Sequence, residues 1–204
     1  ISNNPGANLV INGGTIEHLG GTDMAYAIDN LTNGTIGDVA CTINGGTIKS
    51  TYRAVRQFLN STTGLNELYV NGGTIDGRDN KSIWMQNANA SANLGKLIVA
   101  EKANLYGDVM VSGSDAPELA IELSLANAAL KDEATVVPSK LPIGYSVVEE
   151  NGVWTVIEQL VATTTEELKA ALAGEATTVV VTAGEYTFPA GSIKAGQTLN
   201  CQEG

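Results

Sequence analysis

Short runs of alternating apolar and polar residues recur along the first half of the chain, and each of these runs leads into the same five residues. Asn-Gly-Gly-Thr-Ile stands at positions 12–16, 44–48 and 71–75. The first and third positions before each Asn are apolar, whereas the residue between them varies from valine to threonine to tyrosine. A period of two is typical of a strand with one buried face. A pentapeptide recurring at such intervals indicates a solenoid built from repeated units.

The paired glycines predict a sharp bend in each unit, because glycine adopts positive φ at little steric cost. After each bend an isoleucine returns to the inside, and the following Glu17, Lys49 or Asp76 faces outward, next to a ladder of threonines. Each unit is therefore predicted to be strand, bend, strand. The residues to which we assign this structural role are Asn12, Gly13, Gly14, Asn44, Gly45, Gly46, Asn71, Gly72 and Gly73.

A second motif follows each bend and adds a further strand to each unit. Residues 26–30 are echoed by residues 53–57 and 83–87, and more weakly by residues 108–111. Adjacent units are expected to stack in parallel, so that side chains of the same kind lie on one another. One unit cannot bury its own apolar face, but stacked units bury a continuous core.

The repeat decays after residue 95 and a different pattern follows. Asn151-Gly152 between two alternating runs is a strong β-hairpin signal. Thr164 and Glu167 have the spacing of a helix capping box, Leu168 begins an apolar stripe, and Gly174 is typical of a helix end. Strands are expected after this helix at residues 178–181, 186–188 and from 198 onward.

This pattern predicts three segments. Residues 1–135 hold the β-helix repeats in about four to five turns, residues 136–160 form a closing loop and hairpin, and residues 161–204 form a helix-strand cap that starts a second β-helix. The first strand, at Asn8, is preceded by no cap, so we expect an N-terminal part to be missing or another segment to cover this end. One hypothesis is end-to-end self-association, in which the helix of residues 166–173 covers the uncapped first turn of a neighbouring molecule.

Composition and charge exclude some classes of binding partner. The 204 residues carry a formal net charge of −11, which argues against nucleic acid and anionic membranes, since both require a basic face. The chain has no run of about 18 apolar residues, so membrane insertion is not expected. Cys41 occupies an inward repeat position, which predicts a buried free thiol.

The repeated Asn-Gly-Gly-Thr-Ile turns with their aliphatic ladders, together with residues 144–156, resemble the pectin-lyase-like superfamily. More narrowly, they resemble repeat-bearing, adhesin-like surface proteins of gut bacteria. The resemblance covers residues 8–157 and implies an all-β fold: a right-handed parallel β-helix (solenoid) with a terminal β-hairpin and a short C-terminal helix-strand cap. It also implies an extracellular or cell-surface location in a bacterium.

The sequence contains few residues that suit a catalytic site. Pectate lyases of that superfamily hold calcium with clustered acidic residues near a basic one, and only residues 76–80, Asp-Gly-Arg-Asp-Asn, have those types here. Such a loop after a strand is ordinarily a turn. His18 is the only histidine, and no nucleophile elbow or phosphate loop is present. We therefore predict no catalytic residue, no metal ligand and no cofactor.

A sugar-binding face is the stronger hypothesis, since aromatic rings beside polar groups suit pyranose stacking. If Ile28, Val55 and Met85 face inward, Trp84 lies on the surface; in the opposite phase it lies in the core. The candidate carbohydrate-binding residues are Tyr26, Tyr52, Arg53, Arg56, Tyr69 and Trp84.

Three functions remain open at this point. The first is a non-catalytic cell-surface or secreted module for adhesion or contact with polysaccharide, such as a host or cell-surface glycan. The second is a fragment of a polysaccharide lyase or hydrolase whose active residues lie elsewhere. The third is a structural stalk. An exposed aromatic row favours binding, whereas acidic residues that meet on adjacent turns favour the enzyme.

Overall fold

The computed structural model describes residues 1–20, 25–34, 37–88, 94–113, 120–141, 145–158, 160–174 and 178–201. The chain forms two compact units, one made of Ile1–Pro142 with Val147–Val156 and the other of Ile143–Ser146 with Ile157–Gly204. The first unit is a parallel β-solenoid of about four turns, as the repeats predict.

Most of the described residues lie in strands. The elements up to the hairpin are β1 (Ser2–Asn3), β2 (Asn8–Ile11), β3 (Thr15–His18), β4 (Tyr26–Leu31), β5 (Val39–Ile43), β6 (Thr47–Ser50), β7 (Arg53–Leu59), β8 (Leu65–Val70), β9 (Gly73–Asn87), β10 (Leu94–Val99), β11 (Ala103–Ser112), β12 (Ala120–Ala126), a 3-10 turn (Asn127–Ala129), β13 (Leu130–Lys131), β14 (Val136–Lys140), β15 (Tyr145–Glu150) and β16 (Val153–Glu158). The last four elements are β17 (Leu160–Ala162), α1 (Thr165–Ala173), β18 (Thr178–Val181) and β19 (Thr198–Cys201).

Two sheets form the walls of the solenoid. The first sheet runs β1-β4-β7-β9-β11-β13, with β14 also on β11 and with β3 and β6 leading into β9. The second sheet runs β2-β5-β8-β10-β12 with all of these neighbours parallel, and then continues to β16 and β15. Each strand therefore pairs with the corresponding strand of the next turn.

The core consists of ladders of aliphatic side chains, as the repeat predicts. In the second sheet, Leu9 pairs with Cys41, Cys41 with Leu68, and Leu68 with Leu97, so one interior position is filled turn after turn. Cys41 is a free thiol that is fully buried, and this burial raises its pKa to about 12. The predicted buried thiol is thus confirmed, and it stays protonated at neutral pH.

The second glycine of each pair makes the bend. Gly14, Gly46 and Gly73 have φ of 85°, 91° and 88°, in the left-handed region that side-chain-bearing residues rarely adopt. A Cβ atom on Gly46 would also lie 2.6 Å from the carbonyl oxygen of Gly14 in the turn below. The second glycine is therefore favoured by its backbone conformation in each turn, and at Gly46 also by the close stacking of turns.

The sequence pattern placed the third copy of the second motif two residues too late. Val55 pairs with Ile83 and not with Met85, and Arg53 pairs with Lys81. Residues 81–85, and not 83–87, are therefore the counterpart of residues 26–30. The error arose because Ile83 and Met85 are both apolar and both buried, so either alignment satisfies the alternation.

The interior also contains a polar network. Asn30, which is fully buried, donates to the side-chain oxygen of Asn66 at 2.8 Å and accepts from the side-chain amide of Asn3 at 2.7 Å. Gln57 donates to the backbone oxygens of Asn66 and Lys96, both at 2.7 Å. These amides link the first sheet to the second across the inside of the solenoid.

An antiparallel hairpin ends the parallel run. β12 pairs with β16 in antiparallel fashion, and β15 follows as the last strand of the second sheet. Asn151 and Gly152, between the two strands, have φ of 52° and 78°, as a tight hairpin turn requires. The predicted terminal hairpin is confirmed.

The second unit is a three-stranded parallel sheet, β17-β18-β19, with helix α1 packed on it. The predicted capping box between Thr164 and Glu167 is present, and the stripe of Leu168, Ala171 and Leu172 is buried against the sheet. The predicted strand at residues 186–188 is wrong, because β19 already pairs with β18. Tyr186 and Phe188 instead pack on this core as part of a loop.

Candidate functional site

The outer face of the first sheet carries planar side chains on three successive strands. Ile28, Val55 and Ile83 pair with one another and are fully buried, so the residues after them face outward by alternation. Trp84 therefore lies on the surface, half-buried, which decides between the two phases left open by the sequence. We call this surface the aromatic–arginine patch, with the members Tyr26, Asp29, Tyr52, Arg53, Arg56, Phe58 and Trp84.

Arg53 lies between two aromatic rings. Its guanidinium carbon is 4.1 Å from the ring centre of Trp84 and 4.5 Å from that of Tyr52. It also donates to the hydroxyl oxygens of Tyr52 at 3.1 Å and Tyr26 at 3.5 Å. Stacking of this kind is attractive because the ring faces carry partial negative charge.

Arg56 repeats this arrangement on the same strand. Its guanidinium carbon is 4.4 Å from the ring centres of both Tyr26 and Phe58. Asp29 on the neighbouring turn accepts two hydrogen bonds from it, at 2.8 and 2.6 Å. Burial alone would lower the pKa of Arg56, but the hydrogen bond and charge of Asp29 raise it above its ordinary value. The guanidinium is therefore charged and fixed in orientation.

Trp84 joins the two halves of the patch. Its ring centre is 6.3 Å from that of Tyr26, with the rings tilted by 39°. Its indole N–H donates to the hydroxyl of Ser112 at 3.0 Å on the next turn. Lys81 and Asp108, 3.0 Å apart, border the patch. Rings and guanidinium groups are thus held in place by contacts that span four turns.

Five of the six candidate residues from the sequence meet in this patch, and Tyr69 does not. Tyr69 lies on β8 in the second sheet, where its hydroxyl donates to Glu67 at 2.7 Å and Lys96 lies 5.7 Å from its ring centre. The sequence reasoning missed Phe58 and Asp29. Period-two alternation from Arg56 would have indicated Phe58, and the stacking of turns would have indicated Asp29.

The other candidate segments contain simple local contacts. The turn expected at residues 76–80 is wrong, because these residues lie within β9. Arg78 pairs there with Asp76 at 3.1 Å and approaches Asp132 at 3.9 Å. His18 accepts a hydrogen bond from the backbone N–H of Gly20 at 3.1 Å. Within the described residues, no three His, Cys, Asp or Glu side chains are grouped so as to hold a metal ion. No helix in the described ranges is long and apolar enough to cross a membrane.

The chain matches no protein-family model, no curated protein and no solved structure. The candidate site therefore rests on its own geometry. That geometry offers two things to a ligand: ring surface for apolar contact and guanidinium groups for hydrogen bonding to oxygen.

Proposed function

We propose that this chain is a non-catalytic module of a bacterial cell-surface or secreted protein, acting in adhesion through contact with polysaccharide, such as a host or cell-surface glycan. The observation that carries the proposal is the convergence of Tyr26, Tyr52, Arg53, Arg56 and Trp84 on one outward face. Within the same proposal, the repeats support a relationship to the adhesin-like, pectin-lyase-like β-helix proteins that they resemble.

The chemistry of the patch suits a sugar ring. A pyranose has an apolar C–H face that can stack on an aromatic ring, and hydroxyls at its edge that accept hydrogen bonds from a guanidinium. The patch combines both groups on a rigid sheet. A ligand would therefore order few side chains on binding, and that lowers the free-energy cost of association.

Charge supports a neutral polysaccharide as the ligand. Asp29 pairs with Arg56 and Asp108 pairs with Lys81, so two of the cations at the patch are neutralised by neighbours. The whole chain carries a formal net charge of −11, which repels polyanions. Hydroxyl-rich neutral glycans are therefore the class that we propose.

The experiment is a glycan array probed with the purified chain, with and without calcium, followed by affinity measurements on variants for each hit. Trp84→Ala should weaken binding about tenfold or more, the scale of one lost aromatic contact. Arg53→Lys keeps the charge but loses the planar stack, and it should also weaken binding. Tyr69→Ala on the second sheet is the matched control and should bind like wild type.

The outcomes of this experiment test the proposal, the assignment of the site and the alternative functions. A blank array contradicts the proposal, and a structural stalk or a protein-directed adhesin then becomes the default. Equal losses in the Trp84 and Tyr69 variants contradict the assignment of the site, and circular dichroism shows whether a variant has unfolded. Binding that requires calcium would favour the alternative of a lyase or hydrolase fragment.

A further inference from the structure

A groove lies beside the aromatic–arginine patch, at the bend that follows β6. Its volume is about 420 Å³, and pockets that bind small molecules measure roughly 300–1,000 Å³. The groove is lined by Lys49, Ser50, Thr51, Asp76 and Arg78. Thr51 directly precedes Tyr52 of the patch, and consecutive Cα atoms are about 3.8 Å apart. The groove and the patch are therefore contiguous.

Hydrogen bonds fix the bend between the groove and the patch. The hydroxyl oxygen of Ser50, which is buried, accepts a hydrogen bond from the backbone N–H of Tyr52 at 3.1 Å. The hydroxyl of Thr51 donates to the backbone oxygen of Gly20 at 2.9 Å. A ligand that contacts both surfaces would therefore require little rearrangement of the chain, which lowers the free-energy cost of binding.

Arg78 repeats in the groove the arrangement that Arg56 has in the patch. Its Nε and Nη2 atoms donate to the two carboxylate oxygens of Asp76, at 3.1 and 3.3 Å. Its guanidinium carbon is 4.6 Å from the ring centre of Tyr106 on β11. Arg56 likewise makes two hydrogen bonds to one carboxylate and stacks on a tyrosine. The same group of guanidinium, carboxylate and tyrosine thus occurs on both surfaces.

The groove offers hydrogen-bond donors and acceptors with little net charge. Asp76 accepts from two of the five guanidinium N–H groups of Arg78, and the Arg78 side chain is 54% exposed, so its other N–H groups can reach a ligand. Lys49, half-exposed, pairs with Glu17 at 3.2 Å. Two cations are thus balanced by two carboxylates. Such a groove suits the uncharged hydroxyls of a sugar better than a charged ligand.

We propose that this groove is a second sugar subsite, next to the one formed by the rings of the patch. The ligand is then a linear neutral glycan of two or more linked sugar units, with one unit on the rings and the next in the groove. A single sugar unit contacts one subsite only, so affinity should rise with the length of the glycan. This inference rests on the proposed function, and it adds Lys49, Thr51, Asp76 and Arg78 to the site.

The test is isothermal titration of the purified chain with cello-, manno- and xylo-oligosaccharides, each from one sugar unit to six. For a series that binds, the dissociation constant should fall by about tenfold or more between one unit and three. Arg78→Ala should remove most of this gain with length, and Lys49→Ala, at a second exposed side chain of the groove, should act in the same direction. Trp84→Ala should weaken binding at every length, because every ligand uses the rings.

Lys96→Ala is the matched control, since it removes a cation that is paired with a carboxylate on the second sheet, and it should keep the wild-type dependence on length. If a series binds and Trp84→Ala weakens it, but affinity does not rise from one unit to three, the subsite is overturned and the proposed function stands. An unchanged gain with length in both groove variants has the same meaning. If none of the three series binds, the subsite and a linear neutral glycan as the ligand are contradicted together.

Discussion

At the scale of single residues, the solenoid uses asparagine in two different ways. Asn12, Asn44 and Asn71 form an exposed ladder, with side-chain hydrogen bonds of 2.9 Å between successive turns. Asn30 and Asn66 form a buried pair inside the first unit. At the surface, water can replace a hydrogen-bond partner that is lost. A buried polar group that loses its partner has no water to replace it.

We therefore expect Asn30→Ala to lower the free energy of unfolding by about 1–3 kcal/mol, because it removes the buried hydrogen bonds that Asn30 makes with the side-chain oxygen of Asn66 and with the side-chain amide of Asn3. Asn44→Ala, the matched exposed variant, should cost about 0.5 kcal/mol or less. Urea denaturation followed by circular dichroism measures both. Similar losses in the two variants would mean that the buried network does not stabilise the fold.

The sequence predicts whether a residue faces inward better than it predicts which distant residues it contacts. Alternation identified the inward positions correctly, including Cys41, because that signal depends only on the local period. The buried Asn30 was not singled out, since asparagine is typical of turns and its partners are 36 residues away in Asn66 and 27 away in Asn3. Tyr69 was grouped with the patch residues because the sequence does not reveal which wall of the solenoid a strand joins.

At the scale of elements, α1 is held at its start by a carboxylate. Glu167 accepts hydrogen bonds from the hydroxyl and backbone N–H of Thr163, at 2.7 and 2.8 Å, and from the backbone N–H of Thr164 at 3.2 Å. The hydrogen bonds from Thr163 lower the pKa of Glu167 below its ordinary value of 4.5. Because the folded pKa lies below the unfolded one, this stabilisation is complete above the unfolded pKa and is lost as pH falls through the folded value.

We expect hydrogen-exchange protection of the amides in α1 to fall as the pH drops below about 4.5, the ordinary pKa of a glutamate carboxyl. Glu167→Gln should remove most of this pH dependence, since its side chain does not titrate. Glu166→Gln, which changes an exposed carboxylate in the same turn, should keep it. Identical pH profiles for the two variants would contradict this account of the cap.

Strands that belong to the repeat were predicted well, because three copies of the pattern support one another. The strand expected at residues 186–188 had only its own three residues as support, and Pro189 after it cannot donate a ladder hydrogen bond. In the structure, Tyr186 donates its hydroxyl to the backbone oxygen of Ala162 at 3.4 Å and joins the core from a loop. Aromatic residues thus indicated burial there, but not a strand.

At the scale of the whole molecule, net charge bears on which class of polysaccharide the aromatic–arginine patch can bind. The formal charge of −11 repels a polyanion, and added salt screens charge–charge interactions. Hydrogen bonds and stacking with a neutral glycan involve no net charge on the ligand. The salt dependence of binding therefore distinguishes a neutral glycan from an anionic one.

Raising the salt concentration from about 0.02 to 0.5 M shortens the screening length to a few ångströms, so any contribution of net charge to ligand binding is largely removed. Over the same range the affinity for a neutral glycan should change by less than about twofold. Isothermal titration at each salt concentration measures this affinity. A steep loss of glycan affinity with salt would instead identify an anionic polysaccharide, held by the charges of Arg53 and Arg56 and not by the rings between which they lie.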